Sequence, residues 1–428
     1  MSNFTSAIEQ ISSQNLFITH EPEVVDFTSG RTTALRVISK DTEIKIPLST
    51  DITKLKEMLG LLQCYLGNDK TISVVWKLKN FLTFAKAQTG INFEMNGTIL
   101  DLSILENYLG IELPCPETFT EAFGRLKKLM SLPNWQDIYG IYNKVYKPLI
   151  EILPNIETLG FINKKKKKQV YSFYEIDGQI NGRMKCSNVF AASFNPHNMS
   201  SEEKENLYPY GFDELFVSFD FKHMEVTMLQ WLSKDDFLGD LITSGRDTYE
   251  SLWEAITSSP CNQGNRQKCK EFFLPVVYGL GANTLAENLK IPTEYAKRLI
   301  DRIHKTVPLS MGWIKKQQDS LLNNKTQDFF GRVRTFDSPY KVRNFSVQSP
   351  ASLVCVHKLV SLAEALKGIA NIGMHIHDGY ILICNRKNLR KVVNISQQIL
   401  EKDDDLYRGL KLKALCKTGN NLNNLAIY

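Results

Sequence analysis

At 428 residues the chain has room for two or three domains, each able to bury its own core. With 43% apolar and 23% charged residues it is neither disordered nor fibrous, and no apolar run reaches the ~18–20 residues of a bilayer-crossing helix, so no membrane-spanning helix is expected. The net charge of +6 favours polyanions only weakly, which shifts the weight to local clusters. The start, MSNFTSAIEQISSQNLF, lacks the basic residues and apolar core of a secretory signal. The eight cysteines contain no CxxC pair, so a reducing, intracellular setting without zinc or disulfides is expected.

In chain order, residues 22–48 read as strands (VVDFT, ALRVIS, EIKIPL), and DITKLKEMLGLLQCYL has helical spacing. The strand TISVVW, the helix LKNFLTFAKAQTG and the strand–helix TILDLSILENYLG complete an α/β domain over residues 1–152. Pro154 and the run Lys164, Lys165, Lys166, Lys167 and Lys168 mark a linker over 153–181. By itself such a run is more often a solvated loop than a binding site. Strands return from Tyr171, and 235–325 is mostly helical. A long helix (346–369) then precedes the hairpin HIHDGYILIC and a helix from Lys387.

Three segments carry chemistry. In FVSFDFKHMEVTMLQWLS an apolar strand ends on Asp220 and a helix follows; alone, such an acid is more often a helix cap. In NRQKCKEFFLPVVYG, Arg266, Lys270, Leu274 and Tyr278 recur every four residues on one helical face. Two cations there offer donors to triphosphate oxygens and Tyr278 offers a ring to a base, although a solvated basic face has the same pattern. In IGMHIHDGYILIC, His377-Asp378 occupies a tight turn between apolar strands, which a structural turn would also explain. Two carboxylates from distant strands can hold two Mg²⁺ ions for in-line nucleotidyl transfer.

In this order the segments resemble motifs A, B and C of family A DNA polymerases, the group of bacterial DNA polymerase I and its phage relatives. Gly182-Arg183, Asn195-Pro196, Gly245-Arg246-Asp247, Gly331-Arg332 with Arg334, and Asn344-x3-Gln348 resemble further family elements, so the likeness spans about residues 175–428. It implies an α/β and α+β multidomain fold. A right-hand palm with an antiparallel sheet and helical fingers (182–428, fingers about 237–340) would follow an RNase H-like, exonuclease-type α/β domain. It implies that Asp220 and Asp378, with the Phe221 carbonyl, hold two Mg²⁺ ions, Mn²⁺ being an alternative. Arg266 and Lys270 would neutralise the triphosphate, Lys270 protonating the departing pyrophosphate, while Leu274 and Tyr278 line the nucleotide site. Glu225 would close the space beside the sugar 2′ position and so select dNTPs. Arg183, Asn344 and Gln348 would track the minor groove of primer–template DNA, with His377 near the primer terminus. The expected setting is cytoplasmic, in a bacterial host or an organelle, with a processivity factor as a further partner. A single-subunit RNA polymerase or primer-making enzyme, and a decayed DNA-binding replication scaffold, are the alternative readings.

The chain departs from the family in several places. Leu274 stands where Phe or Tyr is usual, Pro275 predicts a kinked or divided fingers helix, and Gly379 replaces the acid after His377-Asp378. In the exonuclease-like domain Asp26 fits the first metal-ligand position and Tyr139 is kept. Thr28, Phe81 and Asn143 occupy the other three, and Lys77 replaces an Asn and adds a cation, so proofreading is expected to be absent. The interval 153–181 is also far shorter than the family's helical thumb, which predicts poor processivity unless Lys164–Lys168 or a partner grips the duplex.

Overall fold

The computed structural model describes residues 16–21, 34–40, 43–47, 52–66, 72–186 and 192–428. The chain forms two compact units, one of residues 1–220, 355–399 and 415–428, the other of 221–354 and 400–414.

The first unit opens with a mixed sheet of β1 (Leu16–Glu21), β2 (Ala34–Ile38), β3 (Glu43–Pro47), β4 (Ile72–Val75) and β5 (Thr98–Asp101), in the order β3-β2-β1-β4-β5. The first three strands are antiparallel, whereas β4 and β5 run parallel to β1. Parallel neighbours need crossover connections, here the helices Ile52–Leu66 and Leu78–Thr89. The strand expected first, VVDFT, lies with Asp26 and Thr28 outside the described residues, and the sheet begins instead on LFITHE. That strand is central, flanked by β2 and β4, so it shows a short continuous apolar run instead of alternation.

A linker at Pro154 is not what forms. The helix Lys147–Leu159 continues through that proline, because burial of Leu149, Ile150, Leu153 and Ile156 outweighs the roughly 3 kcal/mol a mid-helix proline costs. The domain boundary expected at 152/153 therefore falls inside a helix. Its Glu157 is fully buried and pairs with Lys79 Nζ at 2.9 Å, while also accepting from Thr83 Oγ1 and the Tyr174 backbone N–H. Burial pushes Lys79 down and Glu157 up, and their mutual attraction opposes both shifts.

Next come the hairpin β6 (Phe161–Asn163) and β7 (Lys168–Val170), the pair β8 (Tyr174–Glu175) and β9 (Lys185–Cys186), and β10 (Leu207–Tyr208), which pairs with β6. Strand β11 (Glu214–Phe221) then leads out of the first unit.

The second unit is mainly helical. Asp235 caps the helix Asp236–Thr243 and also accepts from the Ser310 N–H, fastening the start of the helix Pro308–Asp319. The hairpin β12 (Lys325–Gln327) and β13 (Val333–Thr335) brackets the Gly331-Arg332 element. Arg332 is fully buried against Ser349, which in turn donates to Asp328. The long helix Pro339–Ala365 starts earlier than the expected residue 346, with proline in the first turn where its missing N–H costs nothing.

Back in the first unit, β14 (Asn371–Ile376), β15 (Gly379–Asn385), β16 (Ala414–Gly419) and β17 (Ala426–Ile427) complete a sheet in the order β14-β15-β11-β16-β17. The pairs β14–β15, β11–β15 and β16–β17 are antiparallel.

Candidate active site

In the first unit the pairing register of β11 and β15 sets Asp220 opposite Gly379. Paired residues on adjacent strands have Cα atoms about 4.5–5.5 Å apart. Asp378 immediately precedes Gly379 in the two-residue turn that joins β14 to β15, so both carboxylates stand at neighbouring strand ends. His377 takes the left-handed conformation that this turn requires, with φ 53°.

Burial raises the Asp378 pKa and the nearby Asp220 carboxylate adds to the rise, while Arg183 opposes it. The Arg183 guanidinium lies 3.3 Å from Asp378 Oδ1. Arg183, expected on the DNA minor groove, is thus engaged with a carboxylate. Two oxygen-bearing groups that repel each other suit a hard dication, and Mg²⁺ is commonly held by one or two carboxylates plus substrate phosphates. Among the described residues no group of three or more Asp, Glu, His or Cys is arranged to hold a metal ion by itself.

Three of the seven histidines gather beside this pair. The His197 and His377 rings stack at 4.8 Å, and His197 Nε2 lies 3.3 Å from the His375 carbonyl oxygen. The His375 N–H donates to Tyr174 Oη, which donates back to the His375 carbonyl, while both ring nitrogens of His375 are buried without a hydrogen-bond partner. Burial holds His375 down at about 3 and His197 at about 4. His197 and His375 were not singled out in the sequence; the only clue was the adjacent Asn195-Pro196.

In the second unit the helix Gln263–Val277 buries Cys269, Phe272, Phe273, Val276 and Val277 and leaves Arg266, Lys270 and Leu274 on the opposite, solvent-accessible side, with Tyr278 at its C-cap. The helix is not divided at Pro275: it runs on to Val277, and the Tyr278 N–H still reaches the Leu274 carbonyl. Arg266 is aimed by Asp247, its Nη2 lying 2.7 Å from Asp247 Oδ2. Asp247 also caps the helix Thr248–Thr257. Burial alone would raise Asp247, but the hydrogen bonds from Arg266 and the Glu250 N–H bring it below the usual value. Lys270 is exposed and has no ion pair among the described residues. Glu225, in the first turn of the helix Met224–Ser233, is clamped from two sides. Tyr278 Oη donates to Oε2 and Gln348 Nε2 to Oε1, each at 2.9 Å. Asn344 lies one helical turn before Gln348 and is likewise half-buried.

The remaining expected site residues lie elsewhere. Lys164–Lys168 cross the β6–β7 turn of the first unit, and Phe221 ends β11 with its ring buried. At the exonuclease-like positions Lys77 is exposed, Phe81 is core, Tyr139 stacks on Trp135, and Asn143 lies in a π-helical turn. Asp101 is buried in that sheet and accepts from the N–H groups of Lys77, Leu78 and Ser103.

The family description "DNA polymerase family A" matches residues 126–424. The chain belongs to DNA polymerase family A. Among characterised relatives, DNA polymerase I of Helicobacter pylori strain J99 is 22% identical over 345 residues, covering 74% of this chain and 36% of that protein. The thermostable DNA polymerase I of Thermus aquaticus is 25% identical over 204 residues, 44% of this chain and 24% of that protein. The chain thus spans well under two thirds of these relatives' length. In fold it is similar to the POL domain of Pol1 from M. smegmatis, solved in complex with DNA primer-template and dNTP. The TM-score is 0.77 at 13% identity, covering 98% of this chain and 97% of that one.

In this family A chain the position after Asp378 is tight for a side chain. A Cβ built on Gly379 would stand 3.0 Å from the Phe219 carbonyl oxygen and 3.2 Å from Asp220 Oδ1. The glycine lets the Asp220 carboxylate lie against strand β15.

Proposed function

We propose that this chain is a DNA-directed DNA polymerase that adds dNTPs to a primer 3′ end by two-metal nucleotidyl transfer, without proofreading. The observation that carries the reading is the register of β11 and β15, which brings Asp220 and Asp378 to neighbouring strand ends in a member of DNA polymerase family A. Asp220, Asp378 and the Phe221 carbonyl would hold the ions. When bound, two Mg²⁺ ions acidify the primer 3′-hydroxyl and stabilise the pyrophosphate leaving group. Arg266, aimed by Asp247, and the unpaired Lys270 neutralise the triphosphate, and the Lys270 ammonium is the proton donor for pyrophosphate. Tyr278 and Leu274 border the nascent pair. Glu225, held by Tyr278 and Gln348, closes the space beside the sugar and selects dNTPs over NTPs. Asn344 and Gln348 follow the minor groove, whose acceptors are alike for all base pairs.

Lack of proofreading is supported by Thr28, Phe81 and Asn143 at the positions where carboxylates are needed, by the cation Lys77 nearby in sequence, and by Asp101, whose carboxylate serves as a helix cap. The strand order β3-β2-β1-β4-β5 supports an RNase H-like ancestry for that domain. Among the described residues no helix is long and apolar enough to cross a membrane, and the free cysteines suit the reducing cytoplasm we assign.

The test is extension of a 5′-labelled primer–template with each dNTP and NTP. Asp378→Asn is expected to lower extension by roughly 10³-fold or more, since several kcal/mol of transition-state stabilisation disappear, while DNA affinity stays nearly constant. Extension at the wild-type rate by Asp378→Asn refutes the metal-site assignment. Preference for NTPs favours the primer-making alternative, and absence of any incorporation by the wild type favours the scaffold.

A further inference from the structure

The polymerase reading leaves one charged feature unused. The β6–β7 hairpin carries Lys164, Lys165, Lys166, Lys167 and Lys168, all exposed. Five adjacent ammonium groups on a free loop would spread apart to relieve repulsion, yet here the backbone beneath them is tied down. Buried Asn163 accepts from the Lys166 N–H at 2.8 Å, the Lys164 N–H donates to the Asn206 carbonyl, and Lys167 adopts a left-handed φ of 50°. Strand β6 is hydrogen-bonded on both edges, to β7 and to β10.

Below the turn, Phe161 and Val170 join an apolar cluster with Phe194, Phe216, Ile381 and Ile383. The Phe161 ring lies 5.8 Å from Phe194 and 6.1 Å from Phe216. Phe216 belongs to β11, which ends in the Asp220 segment, and Ile381 and Ile383 belong to β15, which follows Asp378. The lysine hairpin, in its own three-stranded sheet with β10, therefore packs against the sheet that presents the carboxylates. Lys165 pairs with Glu202, and Lys164 lies 3.5 Å over the Tyr208 ring. Lys166, Lys167 and Lys168 have no carboxylate partner among the described residues. Between Gly160 and Asn195 the described residues form no α-helix.

We propose that this lysine hairpin is a duplex clamp: a phosphate-binding rail, fixed to the catalytic sheet, that grips primer–template DNA where the family's helical thumb would otherwise do so. The inference rests on the polymerase reading for its ligand, and its chemistry is that of ammonium groups displacing condensed counterions from phosphates.

The test measures binding of a fluorescent primer–template without nucleotide, from low to moderate salt, for the wild type, Lys166→Gln/Lys167→Gln/Lys168→Gln, the Lys→Arg triple variant, and the remote control Lys127→Gln/Lys128→Gln. Each phosphate contact contributes about 0.9 to the slope of log K against log salt. The Gln triple variant is expected to lower that slope by roughly 2–3 and affinity at low salt by tens of fold or more, equally on blunt duplex, with the Arg variant and the control close to wild type. Its product length per binding event is expected to shorten. Unchanged slope and affinity overturn the clamp. So does a loss confined to single-stranded template, or binding of phosphatidylserine vesicles through these lysines with DNA affinity unaltered. A wild type that binds DNA through the hairpin yet incorporates no dNTP refutes the polymerase reading and leaves the DNA-gripping assignment standing, which separates the two failures.

Discussion

The Glu225 clamp allows a worked prediction. Tyr278→Phe deletes one oxygen and with it the 2.9 Å hydrogen bond to Glu225 Oε2, leaving the ring and the Gln348 bond in place. A hydrogen bond to an ionised group contributes about 1.5–3 kcal/mol, and the half-exposed setting of Glu225 puts this one near the low end. A loss of about 1.4 kcal/mol is tenfold in a rate ratio, so the dNTP-over-NTP preference in kcat/KM is expected to fall about tenfold. Glu225→Ala removes the carboxylate itself and opens space beside the sugar. Rejection of one added group by shape is worth about 1–3 kcal/mol, so a fall of roughly 10–200-fold is expected, with kcat for dNTPs reduced far less. In the Glu225→Ala background the further change Tyr278→Phe should have almost no effect on sugar choice, because the bond it removes is already gone. The assay is single-nucleotide incorporation with matched dNTP and NTP series for the four proteins. Sugar preference that is unchanged in Glu225→Ala refutes the reasoning and reduces Glu225 to a cross-link between helices. Additive effects of the two substitutions refute the clamp.

Gly379→Ala forces the Phe219 carbonyl and the Asp220 carboxylate to give way by a few tenths of an ångström. It is expected to weaken activation by Mn²⁺ and Mg²⁺ several-fold, and Gly379→Glu to do so more severely; metal titrations with equal or tighter midpoints refute this. Asp247→Asn keeps the helix cap but weakens the hold on Arg266, so KM for dNTP should rise several-fold with kcat near wild type, whereas Arg266→Ala should affect both. His375, held at about 3 against an unfolded value of about 6.5, is neutral when folded. The unfolded chain binds the extra proton between those values, so stability from this group is complete above pH ~6.5 and is lost on acidification toward pH 3, by up to about 1.4 kcal/mol per pH unit. Thermal midpoints of His375→Phe should fall less steeply over that window than those of wild type, and parallel profiles count against the assignment.

What the sequence made legible was local. An acid at the end of an apolar strand, His-Asp in a hairpin turn, and cations every four residues each depend on a few neighbouring positions, and β11, the β14–β15 hairpin and the helix Gln263–Val277 carry them. What it hid was long-range. Arg183 meets Asp378 across 195 residues, and Glu225 meets Tyr278 and Gln348 across 53 and 123. No periodicity encodes such pairings. The continuous helix at Pro154 has a related reason: proline's cost is a local quantity, whereas the burial that outweighs it comes from the surrounding structure. Gly379 joins the two cases. In the sequence it is a missing acid, a subtraction from the metal site. In the fold the space its side chain would take is closely bordered by the Phe219 carbonyl and the Asp220 carboxylate. The substitution therefore changes how closely Asp220 approaches its partner strand as well as how many acids are present. An acid restored there would compete with Asp220 for the same space instead of reinforcing it.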